Sequence, residues 1–203
     1  MRQRTATAAD EGAMGDVDDG LASRAQGCLL GQLAGDSLGS LVEFETPQAI
    51  LRRYPDGVRE LADGGTWDTL AGQPTDDSEL ALMLAHSLVE HGRYDQEAVG
   101  RAYVHWLESG PFDSGGTIRL GLTSSPNPSS QANGALMRIS PLGIFGVRHE
   151  PEQVMEWARQ DAAITHPHEV CRQANALFTA SLRFAIASGA ETADVYAELC
   201  RLP

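Results

Sequence analysis

Lysine is absent from this chain. All 15 basic residues are arginines, set against 28 aspartates and glutamates, and the formal net charge is −13 over 203 residues. Such a surface repels a polyphosphate backbone. No Arg-rich run or basic–aromatic alternation offsets it, so nucleic acid is not an expected partner. Cysteine is scarce as well. Cys28, Cys171 and Cys200 are odd in number and lack the spacing of a zinc site or a disulfide framework. Cys28 and Cys171 fall inside helical patterns and read as core thiols, which suits a reducing, cytoplasmic setting. Residues 1–20 contain no apolar stretch of signal-peptide length and read as a disordered acidic leader. Asp16, Asp18, Asp19 and Gly20 imitate the opening of a calcium loop, but Gly27 stands where that loop needs a bidentate glutamate.

Alternating strand-like runs are lacking too, and no internal repeat occurs. Apolar residues recur at helical spacing almost throughout, which predicts an all-α fold. With 42% hydrophobic residues the chain can bury one sizeable core, and residues 21–203 are expected to form a single helical domain. The first helix is predicted from Leu21 to about Leu41. Gly27, Gly31, Gly35 and Gly39 recur every fourth residue on it, a nearly smooth face for another helix to approach. Arg24, Gln26, Gln32 and Asp36 on that helix argue against a membrane span and for a buried soluble helix. A short helix is expected over Pro47–Tyr54, then a Gly- and Asp-rich loop from Asp56 to Gly72. Asp95 caps a helix carrying Val99, Tyr103, Trp106 and Leu107 that stops at Gly110. Leu122 to Gln131, rich in Ser, Pro and Asn, reads as loop. Pro151 opens a helix through Val154, Trp157, Ala158, Asp161 and Ile164. A further helix runs from about Glu169 to Gly189.

Between loop and helix lies Thr75-Asp76-Asp77-Ser78-Glu79, with Leu80, Met83, Leu84, Ser87 and Leu88 following at helical spacing. Asp76 with Glu79 three residues on fits a helix-start capping arrangement. That arrangement needs one acid. A hydroxyl and two carboxylates from one tight turn are also the oxygen donors that magnesium takes. The motif alone leaves capping and metal binding open. Elsewhere, Glu43 follows the first helix and reads as a solvated acid at a helix end. Asn133-Gly134 is a turn that starts a helix or, with its backbone N–H groups and the Asn amide, a lysine-free cradle for a diphosphate. Ser114-Gly115-Gly116-Thr117 is a flexible loop or a second such cradle. His166, between Thr165 and Pro167 at a helix exit, reads by itself as a C-cap or surface residue.

Taken in order, five segments resemble the ADP-ribosylglycohydrolase family, which includes the dinitrogenase reductase-activating glycohydrolases. They are Gly27 to Phe44 with its Gly35-Asp36 pair, the Thr75-Asp76-Asp77 corner, Asn133-Gly134-Ala135-Leu136-Met137-Arg138, Ser140-Pro141-Leu142-Gly143, and Ala163-Ile164-Thr165-His166-Pro167. The resemblance runs from about Leu21 to about Ile186. It implies a compact all-helical fold and a magnesium-dependent hydrolase that removes ADP-ribose from a modified protein side chain, through an N- or O-glycosidic bond. Two magnesium ions belong to the complete family site. Carried over residue by residue, Thr75, Asp76 and Asp77 hold metal, with Asp77 also catalytic. Glu43 becomes the acid on a mobile segment near the metals and the scissile ribose. Asp36 supports the site from behind. Ser130, Asn133 and Gly134 belong to the loop for the phosphates, although Gln131 and Ala132 stand where the family often has glycine or an aromatic residue. Gly115 lies in a second Gly-containing segment. His166 contacts phosphate or ribose, and Met137 and Arg138 support the pocket wall. The expected partners are an ADP-ribosylated protein or ADP-ribose itself.

One family feature is lacking. A second acidic motif near the C-terminus, roughly Asp-x-Asp-Thr, completes the two-magnesium site of the family. Asp194 and Thr192 match neither its order nor its context. One Thr-Asp-Asp corner offers about three ligands, too few for a metal pair. The sequence therefore predicts the N-terminal portion of such a domain, incomplete at the C-terminus, with apolar surface exposed and available for association. Two functional expectations follow. One is the hydrolase. The other is an ADP-ribose-binding or structural relative without turnover.

Overall fold

Helix boundaries in this chain follow local chemistry. In the computed structural model, which describes residues 19–202, Asp95 Oδ1 accepts the Ala98 N–H and Thr46 Oγ1 accepts the Ala49 N–H at two helix starts. Pro47, Pro141 and Pro151 occupy first turns, where a missing N–H costs nothing. Gly92 and Gly189 end two long helices in the left-handed conformation, each returning its N–H to a carbonyl four residues back. The helices are α1 (Asp19–Gly39), α2 (Pro47–Arg53), α3 (Asp76–His91), α4 (Gln96–Glu108), α5 (Gly116–Thr123), α6 (Ser140–Phe145), α7 (Pro151–Thr165), α8 (Glu169–Ser188) and α9 (Thr192–Leu199). The fold is all-α as expected. The predicted leader falls outside the described residues up to residue 18, and α1 begins at Asp19. Among the described residues no helix is long and apolar enough to cross a membrane.

One core joins α3 to α7. Leu80, Leu84 and Leu88 of α3 meet Val99, Tyr103 and Trp106 of α4, Ile118 of α5, Leu142 of α6 and Ala158 of α7. Glu79 does not cap α3. Its carboxylate instead accepts the Trp106 indole N–H at 2.7 Å, tying α3 to α4. The close backbone approaches occur at glycines other than those expected. A Cβ on Gly121 would lie 2.8 Å from Thr165 Cα, and one on Gly143 would lie 2.8 Å from Leu182 Cβ.

Arg138 is fully buried at the centre. Its Nε donates to Asp161 Oδ1 at 3.0 Å, one terminal nitrogen to Thr165 Oγ1 and Gly134 O, and the other to Asp161 O. The guanidinium lies 4.2 Å from the centre of the Tyr103 ring, and the Tyr103 hydroxyl donates to Asp161 Oδ2 at 2.8 Å. Arg138 is thus a core tie that also supports the pocket wall, through Gly134 and Thr165.

Three expectations change. The glycine face of α1 packs against nothing: no described atom lies within 4 Å of a Cβ built on Gly27, Gly31, Gly35 or Gly39. Small residues at helical spacing permit a close neighbour but do not supply one. The helix is held mainly by polar anchors. Gln32 Nε2 donates to Asp77 O and Met137 O, the Ser140 hydroxyl bonds Gln32 Oε1, and Arg24 Nε donates to Ile186 O. Cys28, read as a core thiol, is only half-buried and lines a groove of about 730 Å³ between α1 and α8. Finally, Gly116 and Thr117 of the Ser114–Thr117 segment, read as loop, open helix α5, because Ile118 docks into the core and Gly121 lets α5 lie against α7.

Replacing Arg138 by methionine leaves the Asp161 carboxylate buried without a counter-charge. The expected cost is about 3–5 kcal/mol, read from urea denaturation. Arg101→Ala, which removes an exposed pairing with Glu97, is expected to cost no more than about 0.5 kcal/mol.

Candidate functional site

The site grows from the N-terminus of α3. Thr75 is the N-cap residue by position, yet its side chain caps nothing. Asp36, in the last turn of α1, does that work from across the interface. It accepts the Thr75 hydroxyl at 2.7 Å, the Thr75 N–H at 3.0 Å and the Ser78 N–H at 3.1 Å. A carboxylate there also complements the positive end of the helix dipole. Asp36 therefore satisfies the helix start and leaves Asp76 and Asp77 outside the cap. The capping arrangement read between Asp76 and Glu79 does not form.

Asp76 Oδ2 accepts the Gly115 N–H at 3.3 Å, and Asp76 shares hydrogen bonds with Asp77 and Asp113. Together these groups border a cavity of about 210 Å³ that Glu43, Phe44, Asn133, Gly134 and His166 also line. Thr75 faces an adjoining recess with Asp36, Glu43 and Asp77. The crowding shows in proton affinities. Burial first, then the neighbouring Asp76 charge, pushes the Asp77 carboxyl up to about 7. The same two causes in the same order push Asp113 up to about 7, and burial raises Asp76 as well.

The opposite wall is set by Arg138. Its bond to the Gly134 carbonyl fixes the Asn133-Gly134 turn, and its bond to Thr165 Oγ1 orients the next residue, His166. Thr165 Oγ1, which accepts from Arg138, also shares a hydrogen bond with His166 Nδ1 at 2.8 Å. His166 Nε2 is buried and has no hydrogen-bond partner among the described residues. Burial and the nearby Arg138 charge lower the His166 pKa to about 4, so the ring is neutral at physiological pH. A side chain at Gly134 would strike His166 Cε1 and Ile118, each at 2.9 Å. His166 also ends α7, as read from its position, with its N–H on Ala162 O.

Of the residues singled out from sequence, Glu43, Asp76, Asp77, Gly115, Asn133, Gly134 and His166 line one cavity. Ser130 sits behind it, its hydroxyl paired with Thr117 Oγ1 at 3.1 Å. Gly115 donates its N–H to Asp76 Oδ2 and so ties its segment to the acid cluster. Two residues escaped the sequence reading. Asp113 sits in a Pro- and Gly-rich turn where a lone acid passes for a turn former. Phe44 carries an aromatic side chain at φ 62°, a strained conformation visible only in three dimensions.

Thr75, Asp76 and Asp77 offer hard oxygen donors, the chemistry that magnesium accepts while keeping several waters. Among the described residues no group of three His, Cys, Asp or Glu side chains is arranged to hold a metal ion. The donor types fit a magnesium ion bound through one or two carboxylates, not a closed protein cage.

The raised Asp77 pKa makes a stability prediction. The unfolded chain loses this proton near its ordinary value of 3.8, while the folded chain holds it to about 7. Ionised Asp77 thus opposes folding increasingly between those values and fully above pH 7. In EDTA, Asp77→Asn is expected to raise Tm by several degrees at pH 8, a gain that fades by pH 4. Thermal melts across that range check it. A variant less stable at pH 8 would mean that the carboxylates do not repel.

Comparison with known proteins bears on this geometry. The sequence pattern of the ADP-ribosylglycohydrolase family matches residues 18–203. The ADP-ribosyl-[dinitrogen reductase] glycohydrolase of Rhodospirillum rubrum is 37% identical over 155 residues, covering 71% of this chain and 52% of its own length. The ADP-ribosylarginine hydrolase Tri1 of Pseudomonas putida (strain GB-1) is 29% identical over 195 residues, covering 88% of this chain and 50% of its own. A solved structure described as an ADP-ribosylglycohydrolase-related protein complex superposes with a TM-score of 0.70 at 28% identity, over 85% of this chain and 59% of that one. The chain spans about half the length of these curated relatives. With its helical fold and the family pattern running almost end to end, this chain belongs to the ADP-ribosylglycohydrolase family.

Proposed function

We propose that this chain contributes to a magnesium-dependent hydrolase that releases ADP-ribose from a modified protein side chain. The observation that carries the proposal is the meeting of Asp76, Asp77, Asp113 and Glu43 in one small cavity with the partnerless Nε2 of a neutral His166. Family membership supports the same reading, as do relatives named for ADP-ribosyl-[dinitrogen reductase] and ADP-ribosylarginine hydrolysis.

In this proposal Thr75, Asp76 and Asp77 hold magnesium, which would orient the ribose hydroxyls and acidify a bound water. The chain's own groups do the rest. Glu43, its carboxylate braced by the Trp67 indole N–H at 2.8 Å, takes a proton from the attacking water. Water oxygen bonds to the anomeric carbon as the bond to the protein side chain breaks, through an oxocarbenium-like state that the surrounding carboxylates stabilise. Asp113, which lines the same cavity, supplies a proton to the departing side chain. The partnerless Nε2 of His166 and the Asn133-Gly134 turn bind the phosphates or ribose without any lysine, and the Ser130 loop backs them.

A second reading has an observation in its favour. Among the described residues no three His, Cys, Asp or Glu side chains are arranged to hold a metal ion. An ADP-ribose-binding relative without turnover is consistent with that arrangement.

Asp77→Asn is expected to weaken magnesium binding at least tenfold and to abolish release of ADP-ribose, with the helical circular dichroism spectrum kept. Isothermal titration with magnesium and a release assay with and without EDTA test this. Turnover unchanged in the variant would remove the metal assignment. ADP-ribose binding without any release by the parent chain would select the second reading.

A further inference from the structure

Glu43 and Asp113, the carboxylates given proton-handling roles above, come from segments far apart in sequence, and one side chain reaches both segments. The Trp67 indole N–H donates to Glu43 Oε2 at 2.8 Å. Its ring meets Phe44 at 6.4 Å and Phe112 at 6.2 Å between ring centres, edge to face in each case. Phe44 follows Glu43 directly, and Phe112 directly precedes Asp113. Trp67 does not itself line the cavity that the two acids share.

Trp67 is carried on a closed turn. Gly64 and Thr69 exchange backbone hydrogen bonds at 2.8 and 2.9 Å, and the Thr69 hydroxyl adds another to the Gly64 carbonyl. Gly65 lies at φ 75°, and a Cβ there would stand 2.5 Å from Ser40 O, so the turn is pressed against the backbone that follows α1. The Thr66 N–H donates to Ser40 O at 3.3 Å, and the Thr66 hydroxyl donates to Glu43 O at 2.6 Å. Phe44 sits at φ 62°, which an aromatic residue adopts only at a cost. Such a conformation persists where its surroundings enforce it, and the Gly64–Thr69 turn supplies those surroundings. We infer that Trp67 is a positioning residue for both proton transfers. Its N–H fixes Glu43 by one oxygen and leaves Oε1 to take the proton from water. Its ring fixes the Asp113 turn through Phe112. Base and acid are thereby set in place by one side chain before any ligand arrives. This rests on the hydrolase reading above, in which Glu43 and Asp113 move those protons.

The test has an arm that needs no turnover. Trp67, Trp106 and Trp157 are the only tryptophans of the 203-residue chain. In proton–nitrogen NMR spectra the Trp67 indole signal is the one lost in Trp67→Phe. Glu43→Gln is expected to move that signal and to leave the other two in place. The second arm is release of ADP-ribose with magnesium. Trp67→Phe keeps a ring and removes the donor, and is expected to lower kcat about tenfold with KM within about twofold. In a Glu43→Gln background the same change is expected to have no further effect. Trp67→Leu also removes the ring, and its extra loss is expected to vanish in an Asp113→Asn background. Circular dichroism confirms that each variant is folded. A Trp67 signal indifferent to Glu43→Gln would overturn the inference. So would losses that multiply independently in the double variants, because Trp67 would then be merely structural. No release by the parent chain, with the Trp67 signal still answering to Glu43→Gln, would overturn the hydrolase reading and keep the tie between Trp67 and Glu43.

Discussion

One buried guanidinium organises this molecule. Arg138 ties the 3₁₀ turn at Leu136–Arg138 to the last turns of α7 and to the aromatic face of α4. Burying a charge so completely is tolerable only when its donors find acceptors, and the Arg138 donors reach Asp161, Gly134 and Thr165. A lysine could not do this, since it lacks the planar fork. The same contacts that pay the desolvation cost also build one wall of the site. Gly134 and His166 stand where they do because Arg138 holds the residues beside them.

The other wall stores electrostatic strain. Asp36 neutralises the start of α3 and supports its fold, while Asp76, Asp77 and Asp113 crowd one another with no basic side chain bordering the cavity. Burial first, then the neighbouring Asp76 charge, raises the proton affinities of Asp77 and Asp113. A cluster of this kind opposes folding while it is unliganded and gains when a cation or a developing positive charge arrives. Its arrangement makes sense as a binding or catalytic feature and not as a contribution to stability.

α1 plays a double part. Through Asp36, Gln32 and Arg24 it reaches the helix start of α3, the Met137 carbonyl and α8. Its glycine face meets nothing within the described residues, and a groove of about 730 Å³ runs beside it. The helix is anchored by specific polar bonds where the core helices are anchored by apolar contact.

The helical class, most boundaries and the family were legible in the sequence, because apolar spacing, Asp95, Pro151, Gly92 and Gly189 act over a few residues. The Thr75-Asp76-Asp77 corner, Asn133-Gly134 and His166 were legible as motifs for the same reason. What the motifs left open was settled by partners distant in sequence. Asp36 caps a helix 39 residues away, so Asp76 and Asp77 are left out of the cap. Arg138 supports the pocket wall from inside the core, where Asp161 and Tyr103 surround it. Asp113 joins the acids because its loop returns to α3, where the Gly115 N–H donates to Asp76 Oδ2. The sequence by itself determined which segments are helical and which residues can bind, since those depend on neighbours along the chain. Only the tertiary structure decided which charges meet and which are neutralised, since electrostatics depends on distance through space.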